Sequence, residues 1–107
     1  MPMKNPPHPG KLINSAIEEL GLSTAQAAAA LGVSRNQLHR VVVGSSNVSP
    51  EMALRLEVVI GSTADTWLRL QAAFDTAQVR ERADEITKGL KRVKAPAAAP
   101  VEQPRLV

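Results

Sequence analysis

Cysteine is absent from the 107 residues, so neither a disulfide framework nor a thiolate metal site can form, a composition suited to a reducing cytoplasm. Tyrosine is absent too, and one tryptophan and one phenylalanine are the only large aromatics. With no aromatic platform for unstacked bases and no known RNA motif, RNA binding is the weaker reading. No apolar run approaches a membrane span, and Met1 to Pro9 lacks the hydrophobic stretch of a signal peptide. The expectation is a cytoplasmic protein without membrane association. Enzyme signatures are missing as well. The two histidines, His8 and His39, stand far apart, no acidic pair has a metal or general-acid spacing, and no glycine-rich loop follows a strand pattern. The chain is therefore expected to be no enzyme and to use neither metal nor cofactor. Its charge excess is small: a net +3 with a pI near 9.8 is compatible with a polyanionic partner without requiring one.

What the sequence does contain is concentrated between Ser23 and Val42, STAQAAAALGVSRNQLHRVV. Ser23 stands three residues before Gln26 and Ser34 three before Gln37, the spacing at which a serine caps a helix and a glutamine reciprocates. Gly32 supplies a left-handed helix exit between the two, and Val33 turns inward. At 100° per residue Leu38, Val41 and Val42 share one side of the second helix, while Arg35, Asn36, His39 and Arg40 share the other. On the first helix Ala27, Ala28 and Leu31 are the expected buried positions, small enough for a close crossing. Two short helices, a tight turn and one polar face define a helix-turn-helix pattern.

Helical spacing of Leu12, Ile13, Ala16, Ile17 and Leu20 predicts a helix from Pro9 to a stop at Gly21. Ser49 with Pro50 and Glu51 opens another, with Met52, Ala53, Leu56, Val59 and Ile60 facing a core. A fifth starts around Ser62 to Asp65 and carries Trp67, Leu70, Gln71 and Phe74 on one face. Beyond Phe74 a second stripe, Val79, Ala83, Ile86, Leu90 and Val93, is turned by about 130° from the first. The helix either breaks near Thr76 or has its second stripe covered by something else, such as another copy of the chain. Lys88, Lys91, Arg92 and Lys94 read first as a solvated helix end, where cations suit the dipole, with a second nucleic-acid contact as the alternative. The fold class is all-α: a five-helix bundle with a C-terminal helical extension and a disordered tail. The expected organisation is a flexible arm over residues 1–7, the helix-turn-helix domain over 8–75, an extension over 76–94 and a proline-rich tail over 95–107.

HPG at residues 8–10, the LGVSR turn, the G-x-x-x-x-S-x-x-x-A-L-R-L run and the late W-L-x-L-Q together resemble the HigA-type, or VapI-like, antitoxins of the Cro/repressor-like XRE superfamily. The resemblance covers residues 8 to 75. Two departures stand out. Lys11 follows HPG where an acidic residue is expected, and Ser45, Ser46 and Asn47 replace the usual basic residues after the second helix, implying fewer phosphate contacts. The superfamily assigns base reading to the start of the second helix and one turn on, here Arg35, Asn36 and Arg40, with His39 on the same face. Arginine suits guanine O6 and N7, and asparagine suits adenine. Thr24 falls at a DNA-backbone position, and Ser23, Ser34 and Gln37 are further backbone candidates.

The resemblance implies a homodimeric autorepressor on a palindromic operator of double-stranded DNA, with half-sites about one helical turn apart. It also implies a RelE-like messenger-RNA endoribonuclease toxin as partner. Val79, Ala83, Ile86 and Leu90 are the candidate dimerisation residues. Two alternatives keep the same fold: a stand-alone XRE-type regulator, and a protein-interaction module that binds a partner without reading DNA.

Overall fold

The computed structural model describes residues 5–95 and holds six helices in this order: α1 Pro9–Glu19, α2 Thr24–Leu31, α3 Arg35–Val42, α4 Pro50–Val59, α5 Ala64–Arg80 and α6 Ala83–Thr87. No strand occurs among the described residues. The first five helices form the bundle and α6 is the extension, as the sequence pattern predicts. Residues 1–4 of the expected arm and 96–107 of the expected tail lie outside the described residues. The described end of the arm is packed, however, because Pro6 is buried.

Each helix start in the bundle has its own acceptor for the N–H groups that the helix cannot satisfy. Ser23 and Gln26 form a complete capping box: Ser23 Oγ accepts the Gln26 N–H at 3.1 Å, and Gln26 Oε1 accepts the Ser23 N–H at 2.8 Å. Ser34 Oγ accepts the Gln37 N–H at 3.0 Å, but Gln37 does not reciprocate and its side chain stays exposed. Ser49 caps α4 and Thr63 caps α5 in the same way. Each such cap contributes about 1 kcal/mol.

The core is built from the predicted faces. Ile13 and Ile17 of α1 meet Ala27, Ala28 and Leu31 of α2 and Leu38 and Val41 of α3, all buried. Met52, Ala53 and Leu56 close it from α4, with Val48 and Trp67 completing the cluster. The Trp67 indole N–H donates to the Gly61 carbonyl at 2.9 Å, tying α5 to the end of α4. Leu12 and Leu20, expected in the α1 stripe, are exposed instead. Leu12 lies about 100° round the helix from Ile13, at the edge of the stripe, whereas Leu20 is in line with it but is the C-cap, beyond the last residue of α1.

Of the two alternatives for the second stripe, a break near Thr76 is not found. Helix α5 runs unbroken to Arg80, and the chain turns at Glu81 and Arg82 before the single turn and a half of α6. Residues 88–95 are irregular, with Gly89 at φ +78°. The second stripe is therefore split between two helices and a non-helical segment. Val79, Ile86 and Leu90 are 47, 45 and 71% exposed.

One contact sets the arrangement of α1 on α3. A Cβ built on Gly10 would stand 2.3 Å from the Val41 carbonyl oxygen and 2.5 Å from that of Val42. Glycine alone allows the first turn of α1 to lie on the backbone at the end of α3. Replacing Gly10 with Ala forces those backbones apart, and the expected cost is about 1 to 3 kcal/mol. Denaturant unfolding of the variant checks this; a midpoint equal to the parent's would mean the seam yields freely.

Candidate nucleic-acid interface

Helix α3 presents Arg35, Asn36, His39 and Arg40 to solvent on an arc of about 140°, with Leu38 and Val41 buried behind them. None of these four side chains makes a hydrogen bond or ion pair among the described residues. Ser23, Ser34 and Gln37 are also exposed, and Thr24 is partly so. The hydroxyls of Ser23 and Ser34 already accept from their own helices, and a hydroxyl in that role still has its O–H to donate.

Three contacts fix this helix. Its end is closed by the Arg40 carbonyl, which accepts from the Ser45 and Ser46 N–H groups at 2.9 and 3.0 Å and from Ser45 Oγ at 3.2 Å. The following loop is held by Gln71, buried on α5. Gln71 Oε1 accepts the Val48 N–H at 2.7 Å, while its Nε2 donates to Asn47 Oδ1 and Asp75 Oδ1 at 3.1 and 3.0 Å. On the other side of the turn, Arg55 of α4 donates to the Leu31 carbonyl at 2.9 Å and pairs with Glu51 at 2.9 Å. The cation thus sits at the negative end of α2 beside Gly32, whose φ of +72° makes the turn.

His8 is the contributor that sequence reasoning passed over. It precedes α1 as its N-cap: Nδ1 accepts the Gly10 N–H at 2.9 Å. The ring is 7% exposed, meets Phe74 edge-on at 5.0 Å between centroids, and lies 3.6 Å from a Cβ built on Gly44. It therefore packs α1, the end of α3 and α5 against each other. With Nδ1 accepting, the proton belongs on Nε2, which is buried without a hydrogen-bond partner among the described residues. Only the His-Pro-Gly run hinted at this role in the sequence.

The expected dimerisation residues lie elsewhere. Val79, Ala83 and Ile86 line a groove of about 380 Å³ at the bend between α5 and α6, while Leu90 follows in the irregular segment. No group of three or more His, Asp or Glu side chains that could hold a metal occurs among the described residues. No helix there is long and apolar enough to cross a membrane.

Two short helices around a left-handed glycine, with a polar second helix braced from α1, α4 and α5, define a helix-turn-helix DNA-binding domain. Comparison with known proteins agrees. A family model described as helix-turn-helix matches residues 13–67. The chain is 43% identical over 86 residues to virulence-associated protein A' of Dichelobacter nodosus, covering 78% of this chain and 75% of that one. It is 37% identical over 84 residues to the HTH-type transcriptional regulator YddM of Escherichia coli, covering 78 and 89%. Antitoxin HigA-1 of Vibrio cholerae is 32% identical over 75 residues, covering 70% of each chain. Among solved structures, the antitoxin GraA superposes with a TM-score of 0.76 at 36% identity over 83% of this chain and 98% of that one. GraA in complex with its operator gives 0.75 at 36%, covering 84 and 93%. The chain belongs to the helix-turn-helix family of XRE-type regulators that includes the HigA antitoxins, a family of non-enzymatic regulators.

Burial holds the His8 pKa below its ordinary value, opposed in part by the Asp75 carboxylate and by the Ser46 backbone, which lies near the ring without hydrogen-bond geometry. The unfolded chain then takes up the proton first, so stability is full above about pH 6.5 and falls as pH drops toward the folded-state pKa. Protonation would also remove the acceptor that caps α1. Thermal midpoints measured between pH 7.5 and 5.5 should fall more for the parent than for His8→Asn, whose cap does not titrate. Parallel curves would place the pH dependence in another group.

Proposed function

We propose that this protein is a sequence-specific DNA-binding antitoxin that represses its own transcription as a homodimer and neutralises a RelE-like messenger-RNA endoribonuclease toxin in the cytoplasm. The observation that carries the DNA-reading part is the row Arg35, Asn36, His39 and Arg40, displayed on a braced helix with no intramolecular partner among the described residues. The likeness to GraA in complex with its operator and to HigA-1 supports the repressor and antitoxin roles. In this reading Arg35 and Asn36 meet base edges in the major groove, Arg40 reaches a further base one turn on, and His39 adds to the same face. Thr24 with Ser23, Ser34 and Gln37 contacts the phosphate backbone. Two copies on a palindrome place their α3 helices about 34 Å apart. Residues 8–75 form the reading domain and the segment 76–94 carries the dimer contact, with α5 as the shared element. A second reading, a regulator without a toxin, has support from the similarity to YddM.

Arg35→Ala should cost about 1 to 3 kcal/mol at a contacted guanine and relax specificity at that base pair. Affinities for a set of single-base operator variants test this; an equal loss on every sequence would make Arg35 a phosphate contact. For the dimer, Val79, Ala83, Ile86 and Leu90 form the apolar surface that a second copy covers. Replacing Ile86 and Leu90 together with Glu should shift the solution mass toward that of a single chain, as read by sedimentation. An unchanged mass would move the interface elsewhere.

A further inference from the structure

The net positive charge of this protein lies outside its helix-turn-helix domain. Residues 8–75 carry five lysines and arginines against six aspartates and glutamates, a net charge of −1, whereas residues 76–94 carry six against three, a net charge of +3. Four of those six, Lys88, Lys91, Arg92 and Lys94, fall within seven residues that contain no acid. The structure also removes the ordinary explanation for them. Helix α6 ends at Thr87 and has no basic residue in its last turn, and Lys91, Arg92 and Lys94 lie four or more residues past its end. All four are exposed, none is ion-paired among the described residues, and the backbone from Lys88 to Ala95 is irregular.

We propose that the segment 88–94 is a second DNA contact, a phosphate-binding segment that supplies much of the electrostatic affinity which the nearly neutral reading domain lacks. The proposal rests on the DNA-binding reading above. Sequence-independent affinity for DNA comes from cations that displace counterions along the backbone. Within the reading domain the loop after α3 offers only Ser45, Ser46 and Asn47, and the reading row holds two arginines. Seven residues in extended conformation span up to about 25 Å, enough for the four cations to follow several phosphates without a fixed geometry. An anionic membrane is the less suited polyanion. A surface-lying amphipathic helix needs a continuous helical face, and here Gly89 at φ +78° and the irregular backbone interrupt it.

The test uses the full chain with Lys88→Gln, Lys91→Gln, Arg92→Gln and Lys94→Gln combined. These exposed positions lie outside the core, so the thermal midpoint should match the parent's and report that the fold is intact. Binding is measured from 50 to 200 mM salt on a duplex from upstream of the protein's own reading frame and on an unrelated duplex of equal length. The expected result is a slope of log affinity against log salt shallower by roughly 3 to 4, since each neutralised phosphate contributes about 0.9. Affinity should fall by the same factor on both duplexes, with the preference between them kept. An unchanged slope would overturn the proposal, as would an unchanged slope accompanied by loss of binding to phosphatidylserine vesicles, which would assign the cations to a membrane. Parent protein that prefers neither duplex but loses slope on substitution would sink the sequence-reading function and leave the phosphate contact standing. Parent protein that binds neither duplex would overturn both.

Discussion

The contact on which this structure turns is the approach of Gly10 to the backbone carbonyls of Val41 and Val42. A helix can cross another this closely only where one of them has no side chain, because interiors pack to near-crystalline density and leave no room for an added methyl. The contact lies under the last turn of α3, the helix with the exposed polar row. His8 joins it from one side by capping α1 and packing on Phe74, and Pro9 sets the entry into the helix. The His-Pro-Gly run is therefore a joint between α1, α3 and α5. It gives a reason, within this one chain, for three unusual residues to stand together.

The remaining supports of α3 act on its flanks. Arg55 satisfies the end of α2, and Gln71 satisfies the loop that leaves α3. Both are single side chains that bridge more than twenty residues of sequence through backbone groups, so each transmits the pose of α4 or α5 to the helix-turn-helix. Buried polar groups of this type are costly when left unpaired. The network at Gln71 is fully occupied, whereas His8 leaves Nε2 without a partner among the described residues. Protonation at His8 Nδ1 would remove the acceptor of the Gly10 N–H, so the joint at α1 weakens as pH falls.

Local features were the legible ones. Ser23, Ser34, Ser49 and the stop glycines marked helix ends because capping acts over three or four residues, and the apolar periodicity located Ile13, Leu38 and Leu56 in the core. The exposed row on α3 was legible for the same reason. The bracing roles of His8, Gln71 and Arg55 were not, since Phe74, Val48 and Leu31, which they meet, lie far off in sequence and no spacing rule connects them. Gly10 was noticed only as part of a family motif, and its physical cause needed the distance to α3. At the other end, the period of the second stripe suggested a helix to Val93, but periodicity does not register the turn at Glu81 and Arg82 or the left-handed Gly89. Leu12 and Leu20 show the converse: both have helical spacing, but Leu12 sits at the edge of the buried face and Leu20 at the helix end.

The chain thus separates a braced, nearly neutral bundle from an exposed apolar and basic extension, and the central claim concerns what the bundle's α3 does. Methylation interference at guanine N7, an atom of the major groove, tests it most directly on the DNA upstream of the protein's own reading frame. Two symmetric clusters of interfering guanines are expected, with centres about one helical turn apart. Binding that is indifferent to N7 methylation throughout that DNA would contradict that claim.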